Sequence, residues 1–398
     1  MFALNIEPQA YYSNPWDWSF ADRLKRLSNG HRRIAYFYEK PDYSTFRYRV
    51  YNMIQALEAS GNETTASYFC NADLERMESI VERADVLVVC RSRYTPEIDR
   101  LIGSARSKGK KVFFDIDDLV FDPSYASLVV SSTDQDMSKP QVWDQWFALI
   151  GRFGATLRLC DVAIATNSYL AEKIKEFAGK ETKVVPNFLN REQIHISDSI
   201  FQTKSESHFE RMGKLCIGYF SGTPTHNRDF RIATSALRQI LDRYSNVVLR
   251  IVGYTDLNDD LRDYRSRIEF VSFQDFINLQ AVIGATEINI VPSQDNVFTN
   301  CKSELKYFEA AVVGTVTIAS PTHSFARAIE HGTNGFLANS YQWFDTLQLV
   351  IESYDQLPNL LNQARDHARE KYGWFNQWKC IEETLFETRE TAPPPGFS

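Results

Sequence analysis

Asp295-Asn-Val-Phe-Thr-Asn300-Cys-Lys302-Ser303-Glu-Leu-Lys306-Tyr-Phe-Glu309 follows the apolar run Ile288 to Val291 and leads through Ala310-Ala311-Val-Val-Gly314 into a second apolar run, Val316 to Ala319. Strand, irregular loop, helix, glycine and strand in that order make a parallel α/β unit. A helix starting near Asn300 puts Leu305, Phe308 and Val312 on one apolar stripe that packs on the sheet. Ser303 and Lys306 then lie on the opposite side, with Glu309 at the border. Lys302 and the helix N-terminus present positive potential to a diphosphate, and Glu309, one turn further in, is placed to accept hydrogen bonds from a ribose diol. The alternative is an ordinary amphipathic helix with a solvated Lys/Glu face.

The same alternation extends in both directions. Strand-like runs at Leu215 to Phe220, Val247 to Val252 and Ile268 to Val271 precede the two just described, and a first set stands at Arg33 to Tyr38, Val86 to Cys90, Lys111 to Phe114, Val162 to Thr166 and Lys183 to Pro186. Helical periods separate most of them. The chain therefore reads as two α/β units: an aromatic lead segment over 1–30, a first Rossmann-like domain over 31–196, a polar linker over 197–213, a second Rossmann-like domain over 214–373, and a C-terminal helix and tail over 374–398. At 398 residues the length suits two cores of similar size. Two such units face each other across a cleft.

Open parallel sheets bind ligands beyond the carboxyl ends of their strands. In the second unit the first such loop is Gly218-Tyr-Phe-Ser-Gly222-Thr223-Pro-Thr225-His226-Asn-Arg228. Gly222 permits close backbone approach, Thr223 or Thr225 can cap the next helix, and the free N–H groups there would face an anion, with His226 and Arg228 adding donors and charge. A capped turn with an exposed arginine is the plainer reading. The loop is neither a Walker A sequence nor a GxGxxG fingerprint.

In the first unit, Ser44-Thr45-Phe46-Arg47-Tyr48-Arg49 follows one predicted strand and Arg91-Ser-Arg93-Tyr94 another. Arg47, Arg49, Arg91, Arg93 and Tyr94 together suggest a basic, aromatic-lined site for an acceptor phosphate or sugar face; as surface arginines they would carry no function. A third segment, Phe114-Asp115-Ile-Asp117-Asp118, offers a carboxylate to act as general base or to orient a hydroxyl, or else a structural Asp cluster.

Totals narrow the classes. Lys plus Arg number 44 against 51 Asp plus Glu, a formal charge of -7, which excludes a general attraction to nucleic acid. The six cysteines lack metal-ligand spacing and suggest a reducing compartment. The sequence shows no signal peptide and no apolar run long enough to span a bilayer, so the expected location is cytoplasmic, with peripheral attachment at the inner membrane face as an extension. Trp16, Trp18 and Phe20 could touch a membrane or a partner protein, but an aromatic cap on the first domain is the preferred reading.

The run DNVFTNCKSELKYFEAAVVGTVTIAS over 295–320, followed by EHGTNGFLA over 330–338, resembles the donor-binding region of GT-B glycosyltransferases related to family 4, especially bacterial enzymes that build surface polysaccharides. The resemblance implies two Rossmann-like domains and a nucleoside-diphosphate-sugar donor, with the first domain binding a saccharide or lipid-linked saccharide acceptor. It implies Lys302, Ser303 and Lys306 at phosphate and sugar, Glu309 at the ribose, Arg228 at the leaving diphosphate and Phe273 near the base. It also implies a metal-independent reaction without cofactor, mostly with retention of configuration; Asp115 or Asp117 acting as a base would mean inversion. The family's earlier glutamate is replaced by Cys301, which leaves Asn296, Asn300 or Lys302 to grip the sugar. Two alternatives are kept: a nucleotide-sugar epimerase of the same architecture, and a non-catalytic nucleotide-sugar-binding partner of a glycan-assembly complex, which it would contact through the aromatic N-terminal segment.

Overall fold

A computed structural model describes residues 14–386 except 62, 134, 223–226 and 254–258, together with Met1, Phe2 and Leu4. Six parallel strands form the first sheet: β1 (Arg32–Phe37), β2 (Thr64–Phe69), β3 (Val86–Cys90), β4 (Lys111–Ile116), β5 (Val162–Ala165) and β6 (Thr182–Val184), in the order β2-β1-β3-β4-β5-β6. The second contains β7 (Leu215–Ser221), β8 (Val247–Gly253), β9 (Ile268–Val271), β10 (Ile288–Val291), β11 (Val316–Ala319) and β12 (Phe336–Leu337), in the order β12-β11-β10-β7-β8-β9. Helices cover both faces of such sheets, which is why β3, β10 and β11 are buried at every residue and read as unbroken apolar runs. Strand order reverses between β1 and β3 in one sheet and between β7 and β10 in the other, and these switch points are where an open α/β sheet leaves a crevice.

All ten strands expected from sequence form. Two more appear, β2 and β12. The β2 sequence, Thr-Thr-Ala-Ser-Tyr-Phe, starts with small and polar residues, and β12 is only two residues long.

Residues 197–206 of the stretch read as a linker fold instead as part of a helix, Arg191–Glu206. Its start is fixed by a reciprocal cap: Gln193 N–H donates to Asn190 Oδ1 at 2.8 Å and Asn190 N–H donates to Gln193 Oε1 at 3.3 Å. Ile194, Ile196, Ile200 and Phe201 are buried among Ser, Thr and His residues that blur the apolar period. Lys204 is buried as well, because its amine donates to the carbonyls of Gly284, Val313 and Gly314. The helix thus lies against the second unit.

The lead segment packs inward from Trp16 to Phe20, while Tyr11 and Tyr12 lie outside the described residues. Trp16 is 1% exposed among Tyr43, Phe46, Tyr51 and Phe276, the last from the second unit, while Trp18 meets Tyr68 and Phe20 meets Phe69. At the other end, the helix Trp378–Phe386 returns to the first unit against the helix Asn52–Leu57. One apolar cluster consequently runs through both units, from Ile34 and Tyr48 to Tyr307, Tyr372 and Ile381. Among the described residues no helix is long and apolar enough to cross a membrane.

Candidate active site

The decisive segment is not one helix. It forms a short helix, Val297–Asn300, then a turn through Cys301 to Glu304, then a second helix, Leu305–Ala311. The cause lies outside the segment, in one residue of each unit. A continuous helix would use the Cys301 and Lys302 carbonyls internally, but Asn167 Nδ2 donates to the first at 2.9 Å and Ser324 Oγ to the second at 2.6 Å. Glu304 closes the turn by accepting from Tyr372 Oη at 2.7 Å. Lys302 and Ser303 therefore sit in a turn before the helix, and the dipole expected from a helix starting at Asn300 reduces to that of seven residues.

Cys301 is fully buried, and with Phe298 it packs into the apolar layer of the first unit. Asn296 caps the short helix by accepting from Thr299 N–H at 2.9 Å; Asn300 accepts from His323 N–H at 2.7 Å and donates to Asp295 at 3.0 Å. Both asparagines hold the loop in place.

Lys302 and Lys306 have no carboxylate partner among the described residues. Lys302 lies 4.7 Å from the Phe298 ring and Lys306 5.4 Å from that of Tyr219. Burial, then the neighbouring charge of Lys302, lowers the Lys306 amine to about 8. Tyr307 and Phe308 beside it are fully buried, Phe308 stacking on Tyr372 at 4.6 Å, and Asn289 Nδ2 donates to the Lys306 carbonyl at 2.9 Å. Two amines on a rigid frame, neither ion-paired with a described residue although the charges of Asp229 and Glu309 act on Lys306, make an anion site. A pH dependence follows: because Lys306 loses its charge as pH rises through about 8, diphosphate affinity should fall over that interval, where the diphosphate itself no longer titrates. Calorimetric titration of UDP, GDP and ADP across it should show the fall in wild type and a flat profile in Lys306→Ala.

Glu309 is 4% exposed. Its Oε1 accepts from Tyr48 Oη and from Gln193 Nε2 at 3.3 Å, with Arg47 Nη2 at 3.7 Å. No described residue donates to its Oε2. Arg228, in the first turn of the helix Asn227–Arg243, is exposed and forms no ion pair with a described residue. Gly222 has open space where a Cβ would extend. Thr223, Thr225 and His226 lie outside the described residues. Phe273 is 47% exposed beyond the end of β9.

In the first unit the arginines separate. Arg49 is fully buried, with Nε and Nη2 donating to the two oxygens of Asp115 at 2.8 and 2.9 Å and Nη1 to Val185 O and Asn187 Oδ1. A buried guanidinium needs such partners, so Arg49 is an internal strut, and Asp115, 2% exposed, has no free oxygen for an acceptor proton. Arg47 is also buried and turns toward Glu309. Arg93 pairs with Glu39, and the Tyr94 backbone pairs with Arg152. The expected basic acceptor patch therefore does not assemble from these five residues. Arg91 stands at the β1/β3 switch point. Its backbone is held in the left-handed region at φ 36°, a strained setting for a long side chain, and its Nη1 donates to Asp117 and Thr45 at 2.8 and 2.9 Å. Asp115 and Asp117 are thus taken by different arginines.

Three participants were not anticipated. Tyr48 and Gln193 hold Glu309, and Asp118 accepts no hydrogen bond from a described residue. Burial, then the charge of Asp117, pushes the Asp118 carboxyl above its usual range, with Arg91 and Lys302 opposing from either side of the cleft. Tyr48 was visible within Phe-Arg-Tyr-Arg-Val-Tyr and Asp118 as the third aspartate of its run, but nothing in the local sequence joins either to Glu309 or Lys302.

Residues 215–352 match the family Glycosyl transferases group 1. HepE from Anabaena, solved in complex with UDP, superposes at a TM-score of 0.58 and 14% identity over 88% of this chain and 99% of its own. Sucrose-phosphate synthase from Thermosynechococcus elongatus gives the same score and identity over 88% and 97%. The pneumococcal O-GlcNAc transferase GtfA, solved with UDP and GlcNAc, gives 0.52 at 13% over 78% of this chain and 58% of its own. No curated protein matches the chain by sequence. The fold is GT-B, and the class is a glycosyltransferase. Within it, the second unit carries the match to the group 1 family.

Proposed function

We propose that the chain moves a sugar from a nucleoside-diphosphate donor to a hydroxyl of a saccharide or lipid-linked saccharide during surface glycan assembly, as a family 4-like enzyme without metal or cofactor. The observation that carries this reading is the pair of lysines, Lys302 and Lys306, standing beside Glu309 beyond the β7/β10 switch point without a carboxylate of their own. The bond from the anomeric carbon to the donor phosphate oxygen breaks, the acceptor oxygen bonds to that carbon, and the acceptor proton passes to the departing diphosphate. Lys302, Lys306 and Arg228 neutralise the charge that builds on the diphosphate. Retention is supported by the engagement of Asp115 with Arg49 and of Asp117 with Arg91. HepE, solved with UDP and with UDP-glucose, supports a nucleotide-sugar donor, and six free cysteines support a reducing, cytoplasmic compartment.

The test is release of nucleoside diphosphate from a panel of nucleotide sugars. Release strictly dependent on an added saccharide acceptor is the expected result. Donor conversion without acceptor would indicate an epimerase, and tight donor binding with no turnover a binding partner; either overturns the proposal.

A further inference from the structure

The first unit reaches Glu309 through one unusual turn. Arg47–Tyr51 is π-helical, and Arg47, Tyr48 and Arg49 are all buried in it. The π turn is a form frequent at functional sites, and it and the α-helix Asn52–Leu57 that follows are buried at every residue, so the whole segment runs through the interior. Arg49 points back into its own unit at Asp115, while Arg47 and Tyr48 reach the second unit.

We infer that Tyr48, Arg47 and Gln193 form a positioning clamp, taking Oε1 of Glu309 so that Oε2 is presented to the ribose diol of the donor. This rests on the reading that Glu309 holds the ribose. Two hydrogen bonds, from Tyr48 and Gln193, take both lone pairs of Oε1, the Arg47 guanidinium adds its charge at 3.7 Å, and none of the described residues occupies Oε2. The clamp residues are themselves fixed. Arg47 Nε donates to Tyr43 O and Nη1 to Gln193 Oε1, each at 2.9 Å, and the guanidinium lies 4.0 Å from the Tyr48 ring centroid and 4.9 Å from that of Phe276. Because Gln193 Oε1 accepts from Arg47 and from the Asn190 N–H, the Nε2 end of that amide is turned to Glu309. Burial, with the charge of Glu309, raises the Tyr48 hydroxyl far above its usual value, so it stays a donor. On the other side, Gln280 Nε2 holds the Glu309 carbonyl at 3.2 Å. Ribose recognition by the second unit is thereby completed by the first, and separating the units would release the carboxylate that the ribose needs.

Dissociation constants for the tightest binder among UDP, GDP and ADP, and for its 2′,3′-dideoxy form, test the clamp in the full chain. Wild type should prefer the ribose form by about a hundredfold, the scale of two hydrogen bonds to a carboxylate, and Glu309→Ala should abolish that preference. Tyr48→Phe, which removes one hydroxyl and little volume, should weaken the ribose form about tenfold and leave the dideoxy form unchanged; Gln193→Met gives the same comparison should the first variant not fold. An undiminished ribose preference in these variants, or an equal loss for both nucleotides, would overturn the clamp while Glu309→Ala still confirmed the ribose site. An undiminished preference in Glu309→Ala, or binding of none of the three nucleotides, would overturn the ribose reading itself.

Discussion

Replacing Lys306 by alanine should lower the rate of sugar transfer by about 10²–10³-fold, the usual cost of removing one preorganised charge from a developing anion. Lys306 leaves the helix Leu305–Ala311 over the Tyr219 ring, and the amine meets no carboxylate. The adjacent Tyr307 and Phe308 are fully buried, so the backbone has no freedom to substitute another residue. An amine already held near 8 by burial and by Lys302 gains from a diphosphate whatever it lost in leaving water, and gains most when the glycosidic bond breaks and the diphosphate carries its full charge. The loss should fall on kcat as well as on donor affinity. Lys306→Arg, which keeps the charge but not the shape, should recover part of it. Steady-state kinetics with the active donor and acceptor will measure this, and activity within about fivefold of wild type would remove Lys306 from the mechanism.

Replacing Asp115 by alanine should act on stability instead. Arg49 and Asp115 are both enclosed, and taking away the carboxylate leaves a guanidinium with no counter-charge, which costs about 3–5 kcal/mol. Denaturant unfolding should show the deficit. The double replacement Arg49→Met with Asp115→Leu should restore much of it, since a buried pair exchanged for apolar side chains of similar volume is often neutral. Folded Asp115→Ala should keep its nucleotide affinity within about threefold. Unchanged stability with abolished transfer would instead make Asp115 a base and favour inversion.

These two expectations separate what the sequence discloses from what it hides. The second unit was legible because its parallel strands are buried on both faces and so appear as bare apolar runs, with the loop between β10 and β11 standing out by contrast. Lys302, Lys306 and Glu309 could be singled out from one stretch because a single loop and helix carry all three. The break at Cys301 to Glu304 could not, since it is imposed by Asn167 and Ser324 from outside the stretch. Arginines in the first unit misled for a related reason: a buried guanidinium and an exposed one look alike in sequence, and only the partners, Asp115 for Arg49 and Glu309 for Arg47, distinguish strut, clamp and surface charge. Helix Arg191–Glu206 was obscured by its Ser, Thr and His residues, although its Asn190/Gln193 cap was present to be read.

The central claim is that Lys302, Lys306 and Glu309 hold one nucleoside diphosphate. A crystal structure with the tightest of UDP, GDP and ADP tests it most directly. The account predicts phosphate oxygens within hydrogen-bond distance of Lys302 and Lys306 and the ribose diol on Glu309 Oε2. A nucleotide bound elsewhere in the cleft, with both amines and that oxygen untouched, would contradict it.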